Sequence, residues 1–227
     1  MTSSRDTVLA SVRRALGVTS KEAPRRQEVA DRLAGHPAGV VPARGRLPPA
    51  ERLDLFKEMV LAAAATLDHL PGDAQVPGAI AAYLRARNLP ATLLRGADER
   101  LAILPWSSEP QLDVWIGPSD GRQLVGLSHA FAGVAESGTL VLLSGQDNPT
   151  TLNFLPDHHL VLIDARDVAG DYEAVWARIR ARFAPGALPR TVNMVTGPSR
   201  SADIEQTLLL GAHGPRSLHV LLVGEAT

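Results

Sequence analysis

The chain has 227 residues, 45% of them hydrophobic and 21% charged, which suits one globular domain and an appendage. A formal charge of −1 provides no overall basic field for nucleic acid, and the absence of cysteine excludes disulfides, thiolate catalysis and cysteine-held zinc or iron–sulfur clusters. The apolar-rich stretch 59–67 is far below the roughly 20 residues that span a bilayer, and Met1-Thr2-Ser3-Ser4-Arg5-Asp6 is unlike a signal peptide; a cytoplasmic protein with no membrane span is expected.

Charge is unevenly placed. Residues 1–50 hold nine basic and four acidic side chains, a net of +5, so the remainder carries −6. The expected division is a helical arm and linker over 1–46 and an α/β domain over 47–227. In the arm, Val8, Leu9, Val12 and Leu16 share one face of a short helix that Gly17 can end. Residues 17–49 are rich in Pro, Gly and Arg and read as a linker, either docking on a partner or draped on the domain. Leu53, Phe56, Val60 and Leu67 predict a helix over 51–67, and a second is expected over 80–87. Residues 91–94 read as a first strand and 114–116 as a buried one.

From residue 123 the pattern sharpens. Apolar runs at 124–127, 139–143, 160–163, 191–195 and 218–223 suit strands buried on both faces of a sheet. Tyr172, Val175, Trp176, Ile179 and Phe183 recur at helical spacing, with Asp171 and Glu173 at the start and Arg180 and Arg182 near the end, as the helix dipole favours. A further helix is expected after Pro198, with Ile204 and Leu208 inward and Gly211 as its stop. Strands alternating with helices predict an α/β fold with an open, mainly parallel or mixed sheet flanked by helices.

Four segments combine glycine with polar or ionisable residues. In Ala135-Glu136-Ser137-Gly138-Thr139, Glu136 can serve as base or nucleophile and the small residues admit a ligand; equally, the segment is a tight helix-to-strand turn with Gly138 at positive φ. In Leu155-Pro156-Asp157-His158-His159, adjacent histidines on an extended chain point to opposite sides, so at most one faces a given site, and no metal is expected. Gly197-Pro198-Ser199 leading into Asp203 and Glu205 places backbone N–H groups where an anion can sit, although first-turn acids also simply stabilise a helix. Gly211-Ala212-His213-Gly214-Pro215-Arg216 offers a histidine and an arginine that can clamp a carboxylate, or else a plain left-handed cap at Gly214. Gly126-Leu127-Ser128-His129-Ala130 lacks the second glycine of a nucleophile elbow.

In this order and spacing the four segments resemble the LUD domain of the lactate-utilization protein C family: 135–139, Leu155-Pro156 with His159, 197–199 with 202–205, and 211–216. The resemblance implies a fold similar to that of sugar-phosphate isomerases, CoA transferases and folate cyclo-ligases. It further implies a component of a bacterial L-lactate oxidation system acting beside iron–sulfur proteins. It supplies no catalytic residues, so Glu136 and His213 remain candidates on chemistry alone. Ser137, Gly138, Thr139, His159, Gly197, Ser199, Asp203, Glu205, His213, Gly214 and Arg216 are the expected binding residues. The expected ligand is a small carboxylate, no cofactor is expected on this chain, and self-association into a homo-oligomer is left open. The alternatives are a stand-alone acyl-CoA transferase or isomerase and a pure interaction module. In an all-parallel sheet Gly197 and Ser199 would lie at one rim and Gly138, His159 and His213 at the other, so a mixed sheet is needed to bring the segments together.

Overall fold

The computed structural model describes residues 3–19, 21–184, 186–201 and 209–225, and the chain divides into two compact units, residues 1–40 and 41–227. In the first unit, α1 (Ser4–Leu16) starts where Ser3 accepts the Asp6 N–H and ends at Gly17, φ 63°. A second helix, α2 (Ala23–Gly35), stands where the Pro- and Arg-rich composition predicts a linker: Pro24 lies at its first turn, where a missing N–H costs nothing. Neither helix buries a residue. The second unit begins at Val41, ahead of the expected break after residue 46, and Gly45 is buried there against Gly170 and Asp171.

The second unit is built on a six-stranded, wholly parallel sheet in the order β1-β12-β7-β4-β2-β3. Its strands are β1 (Thr66–Leu70), β2 (Thr92–Arg95), β3 (Asp113–Ile116), β4 (Val125–His129), β7 (His158–Asp164) and β12 (Ser217–Val223). A separate four-stranded sheet, β8-β5-β6-β9, comprises β5 (Ala132–Val134), β6 (Thr139–Leu143), β8 (Val168–Ala169) and β9 (Val192–Val195), with β6 antiparallel to both neighbours. A short ribbon pairs β10 (Arg200–Ser201) with β11 (Leu209–Leu210). The expected mixed sheet is thus two sheets, and the runs 139–143 and 191–195 belong to the second.

Alternation within the apolar runs explains the layers. Val161 and Ile163 of β7, with Val220 and Leu222 of β12, join Leu140 and Leu142 of β6 and Phe56 of α3 (Pro49–Ala62) in one core. Leu160 and Leu162, with Leu221 and Val223, face Ile80 and Leu84 of α4 (Val76–Ala86) in another. The helix predicted over 51–67 therefore stops at Ala62, and Leu67 lies in edge strand β1. Strand β3 is the other edge: Trp115 and Ile116 are exposed, not buried as their composition suggests. The outer face of the second sheet packs on Val175 and Ile179 of α7 (Tyr172–Arg182), capped by Asp171 accepting the Ala174 N–H. Single-turn helices α5 (Glu99–Ala102) and α6 (Thr151–Phe154) complete the unit.

Residues 135–138 form the β5–β6 hairpin turn, not a helix-to-strand turn. Gly138 holds φ 66°, and a Cβ there would come within 2.5 Å of the Met59–Val60 backbone of α3. Gly138→Ala combines a left-handed backbone with a clash on unyielding atoms, so it is expected to destabilise the unit by about 2–4 kcal/mol. Urea unfolding at neutral pH measures this, and a loss below about 0.5 kcal/mol would show that α3 yields freely.

Candidate functional site

Between the two sheets, at the end where β7 and β12 begin, lies a cleft of about 300 Å³. Its walls come from α6 (Asn153, Phe154), from Met194 onward through the turn to Arg200, and from the loop that places His213, Gly214 and Pro215. His159 and Leu218, paired across β7 and β12, line its base. The two loops are zipped together: the Ser199 N–H donates to Pro215 O at 2.9 Å and the Gly211 N–H to Ser199 O at 2.8 Å. Gly197 sits at φ 76° with the Ala63 carbonyl where a Cβ would be, so only glycine lets this turn lie on the end of α3.

The cleft brings together His159, Gly197, Ser199, His213 and Gly214 from the expected set. Of the adjacent histidines, His159 lines it, while His158 meets Tyr83 Oη at 3.0 Å. Ser137, Gly138 and Thr139 do not line it. Instead Ser137, Thr139 and the Tyr172 hydroxyl form a network of 2.8–2.9 Å contacts, and Thr139 Oγ1 lies 2.6 Å from Thr196 Oγ1 on the cleft wall. Glu136 is buried beside α7, where its carboxylate accepts the Tyr172 N–H at 3.2 Å. Arg216 is exposed and leans toward Asp157 at 3.8 Å, so no His–Arg clamp forms on this loop; Arg200 lines the cleft and donates to the Ala63 carbonyl. The anion-binding helix start expected after Pro198 is not formed at 199–201, where the chain is β10 and the Ser199 N–H is already used. Asp203 and Glu205 lie outside the described residues, as does the helix expected around Ile204 and Leu208.

Sequence reasoning missed Asn153 and Ser128. Ser128 donates to Asn153 Oδ1 at 2.9 Å and meets His159 Nε2 at 3.1 Å. His159 is fully buried, and Asn153 is 2% exposed. Burial alone drives the His159 pKa from 6.5 to about 3, so the ring is neutral. His159 Nδ1 and Asn153 Nδ2 are buried atoms without a hydrogen-bond partner among the described residues.

The opposite rim, where open α/β sheets usually bind ligands, carries a smaller cleft of about 230 Å³ beside Asp98, Arg100 and His129. Asp147 and Arg182 also line it, and three of its other ionisable groups are engaged. Arg100 grips Asp98 through two nitrogens at 3.0 and 2.6 Å, and His129 Nε2 lies 3.6 Å from Asp164. The hydrogen bond from His129 holds the Asp164 pKa below the usual carboxylate range. A broader depression of about 510 Å³ along α2 is walled by that arm's own exposed side chains, among them the Glu28–Arg32 pair at 2.9 Å. Among the described residues no cluster of His, Asp or Glu is arranged to hold a metal ion, and no helix is long and apolar enough to cross a membrane.

A second buried histidine, His219, is pushed down to about 4 by burial, with Asp68 pulling the other way. Unfolded histidine takes up its proton near pH 6.5, whereas these two do so only near 3 and 4 when folded. Between those limits the unfolded chain binds more protons, so stability is present above pH 6.5 and falls on acidification. Each ring contributes a slope approaching about 1.4 kcal/mol per pH unit. Unfolding free energies measured from pH 6.5 to 4.5 are expected to fall accordingly, and His159→Gln to remove one proton's share of the slope. An unchanged slope would show that His159 is charged in the folded protein.

The model of the LUD domain matches residues 57–223. Among curated relatives, an uncharacterized protein of Neisseria meningitidis is 34% identical over 121 residues, 53% of this chain and 51% of that one. Lactate utilization protein C of Halalkalibacterium halodurans is 32% identical over 126 residues, 52% and 54% of the two chains. The aligned part thus spans about half the length of these relatives. A crystal structure of a DUF162 family protein from Deinococcus radiodurans superposes with a TM-score of 0.55 at 26% identity, covering 78% of this chain and 99% of that one. The chain belongs to the LUD domain family.

Proposed function

We propose that this protein is a component of a bacterial L-lactate oxidation system, that it works beside iron–sulfur proteins, and that the cleft at the start of β7 and β12 binds a small carboxylate. Family membership and relatives named lactate utilization protein C support the system. A chain without cysteine cannot itself ligate clusters through thiolates, which is consistent with cluster-bearing partners. One observation carries the ligand class: the described lining includes Arg200 and His213 but no Asp or Glu, and His159 is neutral, so no described group there repels an anion. Glu136, the nucleophile that an acyl-CoA transferase reading would require, is buried outside this cleft and engaged at the start of α7, which favours the carboxylate-binding reading.

A thermal-shift screen of the full chain with L-lactate, pyruvate, related hydroxy acids, acetyl-CoA, ribose 5-phosphate and a folate tests this. A ligand at 100 times its Kd stabilises by about 2.7 kcal/mol, several degrees of Tm for a unit of this size. Small carboxylates are expected to raise Tm in the wild type and less in His213→Ala; silence across every carboxylate would sink the ligand assignment.

The arm supports the partner half of the proposal. Val8, Val12 and Leu16 of α1 and Val29 and Leu33 of α2 are exposed on a segment carrying excess positive charge. Deleting residues 1–40 is expected to abolish co-elution with the iron–sulfur proteins while the far-UV circular dichroism of the α/β unit persists. Undiminished co-elution would assign docking to the domain.

A further inference from the structure

We propose that strand β3 is the interface of a symmetric dimer, in which two copies of this chain join their six-stranded sheets edge to edge.

The two edges of that sheet differ. Strand β1 exposes Asp68 and His69, polar groups of the kind that keep an edge from pairing. In β3 the exposed residues include Trp115 and Ile116, 51% and 59% accessible, on opposite faces. Its backbone is equally open. The Asp113 N–H donates to Ala91 O and the Gly117 N–H to Arg95 O, so residues 113, 115 and 117 turn toward β2. Val114 and Ile116 therefore turn their N–H and C=O groups outward. A second β3, antiparallel about a two-fold axis at Trp115, matches this register. Val114 of each copy exchanges N–H and C=O with Ile116 of the other. Trp115 then meets its own counterpart as a non-hydrogen-bonded pair, where side chains approach closest. Asp113 opposes Gly117 rather than a like charge, and it accepts the Trp115 Nε1–H at 2.7 Å, which orients the indole.

The exposed area suits a weak dimer. Trp115 and Leu124 wall one groove of about 460 Å³, so the apolar surface continues from the edge onto the sheet face. Trp115, Ile116 and the 43% accessible Leu124 together expose on the order of 300 Å². Specific interfaces bury roughly 600–1,000 Å² per partner. An apolar centre of this size, framed by the paired backbone and the loop at 117–123, reaches the lower end of that range.

Sedimentation velocity of the full chain across about 1–100 μM tests this, since so small an interface gives a Kd on the order of 10 μM. The mass is expected to rise from the 24.1 kDa monomer toward a dimer over that range. Trp115→Lys sets like charges face to face, and Ile116→Pro removes an outward N–H while leaving the donors to β2 in place. Each is expected to weaken association about tenfold or more. Val12→Lys, on the exposed face of α1, is expected to leave association unchanged. Amide exchange of the wild type serves if either β3 variant fails to fold by circular dichroism. Val114 and Ile116 are expected to exchange about fourfold slower at the top of the concentration range than at the bottom. A monomer throughout, a dimer that the β3 variants leave intact, or exchange at Val114 and Ile116 that ignores concentration would each overturn the assignment.

Discussion

Strands β7 and β12 are apolar on consecutive positions and lie in the interior of the six-stranded sheet, so both of their faces have to be kept from water. Everything else in the second unit follows from covering those two faces. One face takes α4 with Ile80 and Leu84. The other takes α3 together with a second sheet, whose β6 contributes Leu140 and Leu142 while its own outer side is closed by α7. Two sheets packed face to face stand about 10 Å apart, filled by side chains only as far as both sheets extend. Where β9 runs out into the turn at Gly197, the parallel sheet continues with His159 and Leu218, which line the cleft. The cleft is the unfilled end of the sandwich.

That origin explains why its chemistry differs from that of the opposite rim. At the C-terminal ends of the parallel strands, charges meet charges: Asp98 with Arg100, and His129 with Asp164. Groups satisfied by one another have little left for a ligand, and displacing them carries a desolvation cost. At the N-terminal end the polar groups lie between the sheets, where ionisation is suppressed, and His159 stays neutral in consequence. Ser128, Asn153 and His159 form an incomplete hydrogen-bonded chain in a low-dielectric layer.

Much of this was legible in the amino-acid order, because burial on both faces leaves a signature of consecutive apolar residues. The runs at 160–163 and 218–223 mark central strands, and the dipole-matched charges around Val175 and Ile179 mark α7. The same signature could not say which sheet a run joins, since 139–143 is as thoroughly covered in the second sheet as 160–163 is in the first. Strand β1 was hidden because Leu67 extends the helical spacing of Leu53, Phe56 and Val60, and Trp115 and Ile116 look buried though β3 is an edge. His159 was recoverable from the rule that neighbours on a strand face opposite sides. Ser128 and Asn153 were not, for a serine and an asparagine 25 residues apart acquire meaning only once β4 and α6 set them together.

The segments that distinguish the chain also differ in what they do. Residues 197–199 and 213–214 form the cleft itself, whereas 135–139 is a hairpin turn pressed against the backbone of α3, with Glu136 anchoring α7. The two groups are joined through one short contact, Thr139 Oγ1 to Thr196 Oγ1 at 2.6 Å, itself held by the Tyr172 hydroxyl. Thr196 immediately precedes Gly197, whose left-handed backbone lets the turn rest on the end of α3 at Ala63. Helix α3 thus receives both glycine turns, Gly138 at Met59 and Gly197 at Ala63, about one helical turn apart. A displacement of α3 would move the hairpin and the cleft wall together. The hairpin segment therefore acts on the site by position: it sets where the 197–199 wall stands relative to His159.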